Sequence, residues 1–222
     1  KEVLDGLIEQ ASSEASFFHL ASQMRVQGGN DYLEFVGRVM EGAQHSRMTF
    51  GDYDLRFFDD IHELRRAVLE KDHEVGLSRL VAGFAWPWAS KNDPDAHDIE
   101  IDGLQLTWNR TATDWINSET SRDEVGSIHT IQGYDLNYAG VIIGSDLGYD
   151  EKSGQLVFHR ENYHDKKGKE NNPRLGIVYS DEDLLDYVKN IYRVLLTRGI
   201  RGTYVYVVDP ALRAHLRPLF AN

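Results

Sequence analysis

Arg198 is the side chain with the most chemistry to offer. It sits in Leu195-Leu196-Thr197-Arg198-Gly199, between a stretch of helical apolar periodicity and the strand-like run Thr203 to Val208. That order predicts a guanidinium held where a helix stops and a strand begins. A planar fork of N–H donors there fits phosphate oxygens, above all oxygens whose charge grows during a reaction. An arginine in a helix's last turn also offsets the helix dipole with no ligand at all, and residue types alone leave both readings standing. A second polar segment, His129-Thr130-Ile131-Gln132-Gly133-Tyr134-Asp135, leads into the apolar run Val141-Ile142-Ile143. Gln132-Gly133 reads as a tight turn, with glycine permitting close backbone approach; Asp135 reads as an acceptor or as a turn former. His129 alone carries little, because a histidine beside an apolar strand is commonly a satisfied core group. Parallel strands present polar groups at their ends, where α/β proteins place ligands, so both segments are expected at such ends.

Periodicity shows the elements that must hold these groups. Ser180-Asp181-Glu182-Asp183 starts a helix, with carboxylates where the dipole favours them. Leu184, Val188, Ile191 and Leu195 then line one face, with the helix running to Thr197 and stopping at Gly199. Arg79 to Trp86 reads as a central strand ended by Pro87, which has no N–H for a ladder. Tyr53 to Phe57 alternates like a half-buried strand, and Asp59, Asp60 and Glu63 open a helix reaching Lys71. Asn30 or Asp31 caps a helix through Met40; Lys1 to Gln10 and Ala211 to Leu216 read as further helices. The expected fold is α/β: a mostly parallel sheet flanked by helices on both faces, with strands near 79–85, 125–130, 139–145 and 203–208. We expect one domain over 1–222, with a helical extension at 1–15 and, at 150–172, an inserted segment carrying Lys152, Lys166, Lys167 and Lys169 that reads as a hairpin with Gln155 to Phe158 as one arm and a mobile tip.

Composition narrows the function. A length of 222 residues suffices for one full core. The 41% hydrophobic and 11% aromatic content includes no apolar run that could span a bilayer, so no membrane partner is expected. A formal charge of -12 argues against a free-standing, charge-driven nucleic-acid binder; any such contact is local or shared with another domain. The absence of cysteine excludes disulfides and thiolate metal sites and fits a cytoplasmic protein. His97-Asp98 with Asp93, Asp95 and Asp102 suggests a metal-dependent phosphohydrolase, but the run reads as a turn without ligand spacing on one face, and no metal site is expected. Trp86, Trp88, Trp108 and Trp115 serve core packing or base stacking.

The two polar segments, in this order and roughly sixty residues apart, together resemble helicase motifs V and VI. On them the chain resembles the second RecA-like domain of a superfamily 1 helicase-like P-loop ATPase, in a bacterial family related to the helicase-like part of Schlafen proteins. The likeness covers about residues 16 to 216 and is weakest between Gly42 and Asp123. It implies that Arg198 reaches the γ-phosphate, joined by Arg25 in Leu20-x-x-Gln23-x-Arg25, which is similar to motif IV. It places Gln132, Gly133, Asp135 and Gln23 at the nucleotide; Asp135 stands where the family carries glutamate and has one methylene less reach. Ser127, where the family carries threonine, would contact the backbone of a single strand with His129 and Thr130. The chain has neither a Gly-x4-Gly-Lys-Ser/Thr loop nor an apolar strand ending in Asp-Glu before motif IV. The resemblance therefore implies an upstream P-loop domain of the same protein that holds ATP with Mg²⁺, and single-stranded DNA or RNA as partner. This part alone would hold no nucleotide stably and be inactive. The alternative is the same fold kept as an inactive scaffold for protein or RNA interaction.

Overall fold

The two runs rich in β-branched residues form strands β6 (Leu136–Ile143) and β9 (Gly199–Val207), which lie side by side and parallel. Around them are β1 (Asp54–Phe57), β2 (Ser78–Ala82), β3 (Ile99–Ile101), β4 (Leu104–Trp108) and β5 (Glu124–Ser127), in the order β1-β9-β6-β2-β5-β4-β3. Every neighbouring pair is parallel except β3 with β4. The computed structural model describes residues 2–13, 23, 25–171 and 178–220. The expected mostly parallel α/β sheet is present, and its central strands are nearly continuous in buried residues, as strands covered on both faces must be.

The helices are α1 (Glu2–Ser13), α2 (Gly29–Met40), α3 (Ile61–Val75), α4 (Asp181–Leu196) and α5 (Pro210–Phe220). Successive side chains of a strand point to opposite faces, and β9 uses this. The Thr203 hydroxyl donates to the Leu196 carbonyl at the end of α4, at 3.0 Å. The next ring, Tyr204, packs against Tyr138, above which stands Lys71 of α3. The helices α3 and α4 therefore cover opposite faces.

The caps explain where helices begin. Asp60 accepts from the His62 amide at 2.7 Å, and Ser180 and Asp183 form a reciprocal capping box. Several boundaries differ from expectation: β2 ends at Ala82 rather than at Pro87, β5 ends at Ser127, and α3 runs on to Val75. The cap of α2 is Gly28, with no side-chain hydrogen bond, while Asn30 and Asp31 lie inside the helix. The last helix extends to Phe220, because Leu216, Leu219 and Phe220 are buried. Helix α4 stops at Leu196, so Gly199 is not its terminator but the first residue of β9.

The inserted hairpin has Gln155 to Phe158 as one arm, as expected, and its other arm lies before residue 151. It pairs β7 (Leu147–Asp150) with β8 (Gln155–Phe158), and only Lys152 of the four lysines lies at its tip. The loop holding Lys166, Lys167 and Lys169 is a separate turn, organised by Asp165, which accepts from the amides of Lys167 and Gly168 at 3.0 Å. Strands β3 and β4 join through Asp102 (φ 49°) and Gly103 (φ 79°), the left-handed pair that a two-residue hairpin requires.

Candidate functional site

Arg198 lies between α4 and β9, and the surrounding backbone is fastened residue by residue. Its amide donates to Leu195 and its carbonyl accepts from Leu136, at 3.1 and 3.0 Å. Three groups from the N-terminal third secure the flanks: the Tyr32 hydroxyl donates to Leu196, the Tyr53 hydroxyl to Gly199, and the Gln27 amide to Ile200, at 2.7, 3.0 and 2.8 Å. Nothing in residue type alone marks Tyr32 and Tyr53 for this role; their partners are distant in sequence. Gly199 is needed for a different reason than a turn. Any Cβ there would collide with the Gly202 carbonyl, where β9 carries one extra residue against β6.

The guanidinium of Arg198 is half-buried, and among the described residues its Nε is buried without a hydrogen-bond partner. Burial pulls its pKa down, the charge of Arg25 pulls it down further, and Asp135 pulls it up. These three side chains therefore converge. Arg25 Nε lies 3.0 Å from Asp135 Oδ1, an ion pair without hydrogen-bond alignment, since that oxygen accepts no hydrogen bond. Two guanidinium groups lie near one carboxylate that pairs with Arg25 alone, which leaves an excess positive charge beside an unfilled donor, an arrangement suited to an anion.

The other expected nucleotide contacts differ among themselves. Gln132 and Gly133 are exposed, and Gly133 has φ of 84°, open space where a side chain would stand, and Asp135 two residues on. Gln23 is occupied: its Oε1 accepts from the amides of Arg25 and Val26, and its Nε2 donates to the Val26 carbonyl, at 2.9, 2.8 and 2.8 Å. It shapes the turn that carries Arg25. Leu20 of the same motif lies outside the described residues.

The cluster does not stand where α/β ligands usually do. Arg198 and Asp135 precede β9 and β6, so they occupy the edge where those strands begin. Ser127 ends β5, in register with Ala82 and, through it, with Ile142. Six residues of β6 separate that level from Leu136, roughly 20 Å at ~3.3 Å per residue. The segment from Ile128 to Asp135 crosses from one edge to the other, anchored by buried Ile128 and Ile131.

At the far edge, Ser127 and Thr130 are buried and their hydroxyls bond each other at 2.9 Å, while the Ser127 amide donates to Asn109 at 3.2 Å. His129 is exposed, with its Nε2 3.4 Å from Asp165. All three line a groove of about 760 Å³ with Phe84, Trp88 and Asn109. The residues expected at a nucleic-acid strand and those expected at the nucleotide thus lie at two different edges.

The family model for the Schlafen group 3, DNA/RNA helicase domain matches residues 1–209. The chain belongs to this family. The Schlafen-type domain is also similar to the Saccharomyces cerevisiae "Uncharacterized protein YPL245W", at 36% identity over 215 residues. The alignment takes in 90% of this chain and 46% of the yeast protein, so the chain spans about half the length of that relative. This relative is fungal, not bacterial.

Elsewhere in the Schlafen-type domain, two of the five residues that suggested a metal enzyme, Asp98 and Asp102, have structural partners. Asp98 accepts from the Ser90 amide, the Ser90 hydroxyl and the Trp108 amide at 2.8, 2.6 and 2.8 Å, and Asp102 accepts from the Tyr206 hydroxyl at 3.1 Å. Among the described residues no three His, Asp or Glu side chains gather as metal ligands would. No described helix is long and apolar enough to cross a membrane. Trp108 and Trp115 are fully buried, Trp115 donating to Glu124 at 2.7 Å, whereas Trp86 and Trp88 are partly exposed.

Proposed function

We propose that this domain is the second motor half of a nucleic-acid-dependent, helicase-like ATPase. In this reading an upstream P-loop domain of the same protein binds ATP with Mg²⁺, and Arg198 and Arg25 meet the polyphosphate across the cleft. The observation that carries it is the half-buried Arg198 with its unfilled Nε, next to Arg25 and Asp135. A desolvated guanidinium with a free donor is costly for the fold alone and useful where phosphate charge develops. Asp135 holds Arg25 while the cleft is open; an arriving phosphate offers Arg25 a stronger partner.

The two edges give the proposal a mechanical sense. The proposed nucleotide contacts are at one end of β6, and the groove expected to meet a DNA or RNA strand is at the other, so closure of one end would move a rigid sheet that bears both. Catalysis would come from positioning and charge stabilisation, with no covalent chemistry asked of this half. Hydrolysis by the parent protein, with and without single strands, tests the reading against hydrolysis by this domain alone. Strand-stimulated turnover in the parent and none in the domain is expected. No turnover in a folded, ATP-binding parent would favour the scaffold role.

A further inference from the structure

We propose that the β7–β8 hairpin is a proton-controlled strap: it lies closed against α4 and α5 while Asp146 at its root keeps a proton, and comes free when that carboxyl ionises. The inference is independent of the motor reading. The two strands form a ribbon of their own, hydrogen-bonded to each other and not to the seven-stranded sheet. A two-stranded ribbon is marginal in water unless its apolar side is covered. Here β7 packs on α5 and β8 on α4, with Leu147 and Leu156 buried. Tyr149 stacks on His215 of α5, ring centres 3.9 Å apart and planes 12° from parallel. Such a unit can open while the sheet beside it stays folded.

The root is fastened through one residue. The Asp146 carbonyl accepts from the His159 amide at 3.0 Å, which closes the ribbon at its base. Its side chain turns inward, where Oδ1 accepts from the Tyr192 hydroxyl of α4 at 2.6 Å, and that hydroxyl accepts from the Gly144 amide at 2.9 Å. Two buried oxygens at the root, Asp146 Oδ2 and Tyr163 Oη, have no partner among the described residues. A neutral carboxyl tolerates such a place, but a carboxylate with one hydrogen bond and no cation does not. Opening brings water to both oxygens. Burial raises the Asp146 pKa to about 7 in the closed strap, and a released carboxyl returns to its ordinary range near 4. Between about pH 4 and 7 the closed strap thus keeps a proton that the open one has lost, so opening grows as pH rises through that window and levels off above it. The other ionisable groups do not reproduce this sign. Burial pushes the phenols of Tyr192 and Tyr163 up, so both stay neutral; Asp165 and Tyr187 act on Tyr163, whose carbonyl accepts from Lys169. On α5, burial and the nearby His45 lower the pKa of His215, so its protonation in acid favours release and opposes Asp146. Burial and Lys169 do the same to His164. His159 lies 4.0 Å from exposed Glu161, Arg160 is paired with Asp181 at 2.6 Å, and Asp150, Glu151 and Lys152 stand at the tip.

Amide exchange of the full-length protein in low urea, followed by mass spectrometry, tests the strap. Hairpin amides at 147–150 and 155–158 should exchange through an opening that urea barely changes, while those of β6 and β9 wait for the urea-sensitive global unfolding. At each pH the opening constant of the wild type is divided by that of Asp146→Asn, which cancels the intrinsic exchange rate and the histidine contributions. That ratio should rise about ten-fold per unit from pH 5 to 7 and stay level above 7. Tyr149→Ala, which removes the stack on His215, should raise opening at every pH. Should Asp146→Asn not fold, His215→Ala serves instead: with Asp146 kept and the opposing histidine gone, hairpin opening corrected for intrinsic exchange should climb from pH 5 to 7. A profile flat across that window, hairpin amides with the urea dependence of β9, or wild-type protection in Tyr149→Ala overturns the strap.

Discussion

The carbonyl of Arg198 accepts a hydrogen bond from the amide of Leu136 at 3.0 Å, which makes the residue after Asp135 part of the same rung as the arginine. The two polar segments noticed in the sequence thus meet through the first rung of a parallel ladder. The relative position of Asp135 and Arg198 is set by backbone, not by flexible side chains.

Arg198→Ala in the parent protein should therefore cut turnover by ~10³ while changing nucleotide affinity little, because the loss falls on charge that develops in the transition state. Arg198→Lys should recover only part, since a single ammonium cannot reproduce the fork. Steady-state hydrolysis and equilibrium nucleotide binding, measured side by side, check this. Equal losses in both would assign Arg198 to ground-state binding.

The fold was legible where one local signal decided the outcome. Capping carboxylates started α3 and α4, an apolar run gave β2, and β-branched runs gave β6 and β9. Strands β3 and β4 are not among the expected strands although Asp102-Gly103 between apolar pairs is a hairpin signal, because three and five residues are too few for periodicity to decide. Of the site, the residue types were visible and the geometry was not. The split between two edges follows from the crossover after β5, which passes over β2 to reach β6, and strand order is a non-local property. Trp88, Lys91 and Arg110 carry no motif; only the fold brings them beside His129.

The Arg25–Asp135 pair is partly exposed, with side-chain accessibilities of 51% and 34%. Solvent screening limits such a pair to roughly 0.2–1 kcal/mol. A double-mutant cycle with Arg25→Ala and Asp135→Ala, read by urea unfolding, should give a coupling in that range. A coupling of several kcal/mol would mean that Arg25 is locked in place and unable to swing to a phosphate.

Tyr53 offers a way to loosen Arg198 without touching it. Its buried hydroxyl lies 3.0 Å from the Gly199 carbonyl and 2.8 Å from the Thr203 hydroxyl. Tyr53→Phe should cost about 1–2 kcal/mol of stability for the unmet partners. It should also lower turnover in the parent with little change in nucleotide affinity, because the junction holding Arg198 loses a tether. A stability loss with unaltered turnover would show that the remaining contacts position Arg198 unaided.

Asp146 predicts an unusual pH dependence. It is fully buried just after β6, accepts from the Tyr192 hydroxyl at 2.6 Å through Oδ1, and its Oδ2 has no partner among the described residues. Burial raises its pKa from 3.8 to about 7, against the opposing Tyr192 hydrogen bond. Most carboxylates in folded proteins shift the other way, so the sign here is reversed. Between pH 4 and 7 the folded state keeps a proton that the unfolded state releases, and stability falls as pH rises through that window. The penalty is complete above pH 7 and is on the order of 4 kcal/mol at most, at ~1.4 kcal/mol per unit. Asp146→Asn keeps an acceptor for Tyr192 and cannot ionise. It should stabilise the protein at pH 8, with the gain shrinking toward zero as pH falls to the carboxylate's ordinary range. Urea unfolding across this range checks the slope; a gain independent of pH would mean that Asp146 is ionised in the fold and compensated by groups other than Tyr192.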